Sequence, residues 1–231
     1  MIKITYIITV YNEVKTVAKA IEDIIKLKFR NKEIIVIDNG SNDGSQEIIN
    51  KFSNIKKVLR RKNLGFGKTI EEGINKAKGK YIFIHYSDLE YDHKRSIFMM
   101  RLAERKKLDV VMASRLKNIL KKKNIIQIIR SKPAYLATLI CTYLINKFYN
   151  KKFTDVIGTK LYLTKNIKKI PINSYGMGFD FEFISRICKN NYKIDEVSIK
   201  YKPRPNFNDK KIKFYHMMNA LYEIFKVKFF K

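Results

Sequence analysis

The chain has 231 residues, 45% hydrophobic and 13% aromatic, with no Pro/Gly/Ser-rich linker, which implies one sizeable core and excludes a largely disordered chain. A formal charge of +28, from 49 Lys and Arg against 21 Asp and Glu, implies a field attractive to nucleic acid, anionic lipid or phosphorylated substrates. Cys141 and Cys188 stand far apart without metal-ligand spacing, which argues against a zinc site or a disulfide framework.

The opening "MIKITYIITVYNE" enters a strand pattern directly and lacks the basic region, apolar stretch and cleavage site of a secretory leader, so a cytoplasmic chain is expected. Apolar β-branched runs then alternate with helical patterns. "KITYIITV", "KEIIVID", "IKKVLR" and "KYIFIHY" read as strands, with helices near Val14 to Leu27, after Ser45 and after Gly67. Such alternation predicts a mostly parallel sheet with helices on its faces, whose ligands bind beyond the C-terminal strand ends. There stand "TVYNE", "DNGSNDGS", "RRKNLGFGK" and "YSDLEYD". Each has an ordinary turn or cap explanation; together they gather polar, small and acidic residues at one edge.

Further on, "DVVMAS" reads as a strand, Asn118 to Tyr149 as mostly helix, "GTKLYLT" as a strand, "FDFEFISRICKNN" as a helix, "YKIDEVSIKYKP" as a strand and Asp209 to Phe230 as a terminal helix. The uncharged run Pro133 to Asn146 has 14 residues, short of a membrane span. Its basic flanks suit an interfacial helix, and a buried core helix fits equally.

The ordered motifs "IITVYNE", "VIDNGSNDGS", "NLGFGKTIEEGINKAKGKYI", "YSDLEYD", "ASR", "TDVIGTKLY", "GFDFEFISRICKNNYKIDEVSIKY" and "PRPNFNDKKI" cover the chain from Ile7 to Ile212. They resemble the inverting nucleotide-sugar glycosyltransferases of family two, and more narrowly the branch of dolichyl-phosphate mannosyltransferase and other polyprenyl-phosphate glycosyltransferases. The resemblance implies an α/β GT-A fold: a mostly parallel Rossmann-like sheet flanked by helices, with amphipathic helices in the C-terminal half. Residues 1–115 would form the nucleotide-sugar-binding half of a single catalytic domain, and residues 116–231 the acceptor half.

Carried over motif by motif, the resemblance assigns the nucleoside to Tyr11, Glu13 and Asp38, with Asn39 where many relatives have a second Asp, and sets Lys68 near base and ribose. Relatives end the fourth strand in a D-x-D-x-Q or D-x-D-x-E pattern that binds a divalent cation. Here Tyr86 replaces the first Asp, and Asp88 and Glu90 remain as hard oxygen ligands for Mg²⁺ or Mn²⁺, which would be held weakly or dispensed with. Arg115, Arg130 and Arg204 match basic residues that grip an acceptor phosphate, with Lys210 and Lys211 near the last. The late loop has Asn208 and Asp209 where the family often has E-G.

A phosphate acceptor is already an anion and needs no general base. A hydroxyl acceptor would need one, for which Asp155, Asp180 and Glu182 are the candidates. The expected activity is therefore transfer from a GDP- or UDP-sugar to a polyprenyl phosphate on the cytoplasmic face of a membrane. The basic segment 119–152 and "LYEIFKVKFFK" would meet anionic lipid, directly or with a membrane-protein partner. The alternatives are a soluble transferase acting on a saccharide or protein hydroxyl, and a non-catalytic nucleotide-sugar binder. Nucleic acid is not an expected partner, since no RNP-like motif, zinc pattern or basic recognition helix is present.

Overall fold

The computed structural model describes residues 1–132, 135–176, 178–204 and 214–230. A seven-stranded sheet in the order β3-β2-β1-β4-β6-β5-β7 forms its centre. The strands are β1 (Ile4–Val10), β2 (Lys32–Asp38), β3 (Lys56–Leu59), β4 (Tyr81–Tyr86), β5 (Val110–Ser114), β6 (Lys160–Leu163) and β7 (Ile194–Ser198). β6 runs antiparallel to β4 and β5; the other pairings are parallel. All seven residues of β1 are buried, as expected of a central strand covered on both faces.

One face of the sheet packs Tyr6, Ile8, Val36 and Phe83 against α1 (Val17–Ile25), α2 (Ser45–Asn50) and α4 (Arg95–Lys106). The other packs Ile7, Ile37, Ile82 and Ile84 against α3 (Phe66–Lys76), α6 (Tyr135–Tyr149), α8 (Phe179–Lys189) and α9 (Phe214–Phe229). α4 is the helix that periodicity did not single out: Met99, Met100, Leu102 and Ala103 are buried, but basic residues interleave them and blunt the apolar stripe. The helical stretch read over Asn118 to Tyr149 is divided. Turns precede α5 (Ile125–Ser131), which Asn124 caps through a reciprocal bond pair with Gln127. α5 stops at Lys132 (φ −149°), because a residue before proline is driven out of the helical region. α7 (Thr164–Ile167) is a single turn after β6. α9 begins at Phe214, and the predicted helical residues 209–213 lie outside the described residues.

The strand order reverses between β1 and β4, so the crevice beyond their C-terminal ends is the favoured ligand position of an open α/β sheet.

Candidate active site

The loops after β1 and β2 brace each other. Asn12, at φ 54°, receives a bond from Asn42 N on its side-chain oxygen and donates its own N–H to Ser41 Oγ. Glu13 N and Val14 N donate to Ser45 Oγ and Asp43 Oδ2. Asp38 holds the second loop in shape: its buried carboxylate accepts from Gly40 N, Ser41 N, Ser41 Oγ and Gln46 Nε2. Asn39 is buried too, donating to Asn63 Oδ1 and accepting from Arg60 and from Leu64 N. Both residues therefore shape the loops beyond β1 and β2, their polar atoms already engaged, whereas Tyr11 is 38% exposed at the edge of those loops.

Lys68 sits at the rim, paired with Glu71 and 5.1 Å above the Tyr175 ring. The neighbouring glycines have a backbone role. Gly67 N donates to Tyr175 O, and a Cβ on Gly65 (φ 94°) would lie 2.2 Å from that oxygen. Close backbone approach of the segments around Gly65 and Tyr175 is what these positions require.

Beyond β4, Ser87 Oγ donates to Thr9 O, fixing the turn to the first strand. Asp88 accepts from Glu90 N on Oδ1, which leaves Oδ2 unengaged among the described residues. Burial pushes the Asp88 carboxyl up to about 6; the Glu90 N–H and Arg204 oppose the rise, and the charges of Glu90 and Glu13 add to it. Glu90 is held differently. Tyr201 OH donates to one oxygen at 2.8 Å and Arg204 N to the other at 3.0 Å. The Arg204 side chain reaches on to Glu13, 2.6 Å from both carboxylate oxygens. Tyr91 and Tyr201 form an isolated bridge and their rings meet at 5.2 Å. Residues 201–204 are thus fastened to Glu90 and Glu13, beside Asp88. Lys210 and Lys211, expected nearby, lie outside the described residues, as do Asn208 and Asp209.

Tyr86, at the end of β4, has its ring against Phe66 at 5.9 Å and Tyr91 at 5.7 Å. Among the described residues, no three His, Cys, Asp or Glu side chains form a metal cage. Asp88 nevertheless fits a divalent cation: it offers an oxygen, and the carboxylates crowding it would be relieved by positive charge. Glu90 would first have to release Tyr201 and Arg204.

Beyond β5, Arg115 and Asp155 form a buried bidentate pair. Arg115 Nε lies 2.7 Å from Oδ2 and an NH2 nitrogen 3.0 Å from Oδ1, and Arg115 N also donates to Oδ2. Burial would raise the Asp155 carboxyl, but the charge and hydrogen bonds of Arg115 outweigh it and hold it below the usual range. The guanidinium lies over the rings of Tyr135 and Tyr201 at 5.5 and 5.3 Å, and the Lys132 ammonium lies 5.9 Å from the Tyr135 ring. Arg130 is not brought into this group: it is exposed in the last turn of α5.

The other two candidate bases are also engaged. Glu182 is buried, accepts from Asn173 N and Ser174 N, and pairs with Arg186. Asp180 pairs at 3.1 Å with buried Lys160, within electrostatic reach of Tyr86. Sequence reasoning gave no role to Tyr201, Lys160, Tyr91 or Phe66. The one signal for Tyr201 is its place three residues before Arg204, in the last quoted motifs.

A family model described as "Glycosyl transferase family 2" matches residues 5–170. The cholesterol galactosyltransferase of Borreliella burgdorferi is 34% identical over 110 residues, 46% of this chain and 30% of that protein. An uncharacterized protein of Methanocaldococcus jannaschii is 31% identical over 210 residues, 84% of this chain and 87% of its own length. This chain thus spans under a third of the galactosyltransferase and most of the archaeal relative. The crystal structure of Mycobacterium tuberculosis glucosyl-3-phosphoglycerate synthase, in complex with Mn²⁺, uridine diphosphate and glucosyl-3-phosphoglycerate, superposes with a TM-score of 0.68 at 14% identity. That superposition covers 98% of this chain and 80% of the synthase, and establishes likeness of fold.

Proposed function

Because the chain belongs to glycosyl transferase family 2, a family of nucleotide-sugar-dependent enzymes, we propose that it moves a sugar, with inversion, from a GDP- or UDP-sugar to a polyprenyl phosphate on the cytoplasmic face of a membrane. One observation carries the choice of acceptor. Asp155, Asp180 and Glu182, the candidate bases for a hydroxyl acceptor, are ion-paired with Arg115, Lys160 and Arg186 respectively. A carboxylate so paired is a poor proton acceptor, whereas a phosphate oxygen attacks without losing a proton.

In this reading residues 1–115 bind the donor and the remainder binds the acceptor. The loops braced by Asp38 and Asn39 receive the nucleoside beside Tyr11, Glu13 and Lys68. The diphosphate lies at Asp88, which would hold Mg²⁺ or Mn²⁺ together with phosphate oxygens and water. Such a cation supplies charge stabilisation to the departing diphosphate. Arg204 adds a second positive group there once the phosphates compete with Glu13 for its guanidinium. The acceptor phosphate lies against Arg115, and Arg130 serves it only if α5 approaches with the lipid. An acceptor oxygen bonds to the anomeric carbon as the bond from that carbon to the diphosphate oxygen breaks. The electron pair leaves with the nucleoside diphosphate, and no proton moves.

A second reading keeps the catalyst and changes the acceptor to a hydroxyl. It is favoured by Asp180, whose side chain is 16% exposed and electrostatically coupled to Tyr86 in the cleft. The two readings separate in one assay. Purified protein is given labelled GDP- and UDP-sugars with polyprenyl phosphate in detergent, under Mg²⁺, Mn²⁺ or chelator. Label in the organic phase from one donor is expected. Label appearing only on a saccharide, sterol or protein hydroxyl would overturn the phosphate acceptor.

A further inference from the structure

Two helices on the acceptor side carry exposed apolar rows. On α6 these are Leu136, Ile140 and Tyr143, the last 62% exposed; on α9 they are Met218, Tyr222, Phe225 and Phe229, with Tyr222 62% and Phe229 61% exposed. Spacings of three and four residues put each set on one helix face. The helices meet where the Phe148 ring stands edge-on to Phe225 and Phe229, at 5.3 and 5.8 Å. Lys228 donates back to Phe148 O across the same seam. On the far side of α6, α5 adds the exposed Ile125 and Ile126.

The charge around the α5 and α6 rows has one sign, and α9 adds Lys226 and Lys228 against Glu223. From Leu116 to Thr154 there is no acidic side chain, while Lys121, Lys122, Lys123, Arg130, Lys132 and Lys147 fall within the stretch. A second copy of this chain is a poor occupant, because it would set one basic face against another with +28 on each molecule. An anionic lipid surface complements both features. Aromatic and aliphatic side chains enter the headgroup layer while ammonium groups meet lipid phosphates.

We propose that the face made by α5, α6 and α9 docks on an anionic bilayer. No described helix is long and apolar enough to cross one, so contact is by the helix faces. Tyr135, the first residue of α6, lies under the Arg115 guanidinium. Docking therefore carries the acceptor end of the cleft to the lipid plane, a consequence that rests on the phosphate-acceptor reading; the docking itself does not.

The test uses the full chain and vesicles of phosphatidylcholine alone or mixed with phosphatidylglycerol, free of polyprenyl phosphate and without donor, so its outcome is independent of transfer. Sedimentation should show at least roughly tenfold stronger partitioning to the anionic vesicles, falling as salt is raised. Replacing Lys121, Lys122 and Lys123 by Gln should weaken partitioning about a hundredfold at low salt. Tyr143→Glu combined with Phe229→Glu should weaken it by about tenfold or more, with an unchanged far-UV circular dichroism spectrum at the assay temperature as the check on folding. Wild-type protein staying in the supernatant, or variants pelleting like wild type, would overturn the proposal. So would a dimer in light scattering that the Tyr143→Glu, Phe229→Glu variant dissociates.

Discussion

Arg204 grips Glu13 across 191 positions of sequence, with one guanidinium nitrogen 2.6 Å from each carboxylate oxygen. The same residue's backbone N–H is on Glu90, so one late residue ties together the two acids that flank Asp88. Removing its side chain should free residues 201–204. In Arg204→Ala, amide exchange at positions 202 and 204 should speed up, and the donor KM should rise about tenfold, the equivalent of one charge-assisted hydrogen bond. Unchanged exchange at both amides would show that the side chain does not hold the segment.

Asp88 sets a conflict between stability and function. Its folded pKa, about 6, lies above the ordinary 3.8, so the protonated form is favoured by folding. That stabilisation is present at low pH and is lost as pH rises from about 4 through about 6. Metal-free Asp88→Asn should therefore unfold at a higher temperature than wild type at pH 7, while transfer is abolished. Wild-type Mn²⁺ binding, followed by electron paramagnetic resonance, should fall as pH drops through about 6 and be nearly absent in the variant. Equal Mn²⁺ binding by both proteins would place the cation elsewhere.

The Arg115–Asp155 pair has to be probed with a double change. Arg115→Met alone strands a buried carboxylate and should cost about 3–5 kcal/mol in urea unfolding. Adding Asp155→Asn should return part of that stability, since no unpaired charge is left buried and the amide oxygen still accepts one of the backbone N–H groups of Arg115 and Ile157. If Arg115 also serves the acceptor, the double variant regains stability and stays inactive. Recovery of transfer with stability would assign Arg115 a structural part only.

His85 is buried, neither ring nitrogen has a hydrogen-bond partner among the described residues, and its ring meets His93 at 5.6 Å. Burial pushes its pKa down to about 3, with His93 adding to the fall and Asp23 opposing it. The neutral form is the folded form, so its contribution is complete above about 6.5 and is lost as pH falls toward 3. His85→Phe should stabilise by about 1–3 kcal/mol at pH 7, by removing unpaired buried polar atoms, and by more at pH 5. Chemical denaturation at the two pH values gives both figures.

Much of the donor half was legible in the sequence. β1, β2 and β4 are local apolar runs and β3 a short strand with two exposed lysines, each with a polar loop after it, and the motifs in those loops identify the family without knowledge of any contact. α4 escaped because its buried side is interleaved with Arg101, Arg105 and Lys106. The acceptor half was less legible: β6 enters the sheet antiparallel between β4 and β5, and no local pattern encodes that insertion.

The sequence by itself determined which carboxylates and arginines this protein has at the ends of its strands, because strand period and turn chemistry are short-range. Only the tertiary structure decided which of them are available. Asp38 is closed into its own loop, Asp155 is matched by Arg115, Glu90 is held by Tyr201 and Arg204, and Asp88 keeps an oxygen unengaged among the described residues. A carboxylate's chemistry depends on the donors and charges that reach it, and for Asp155 and Glu90 the donors from Arg115, Tyr201 and Arg204 arrive from segments tens of residues away.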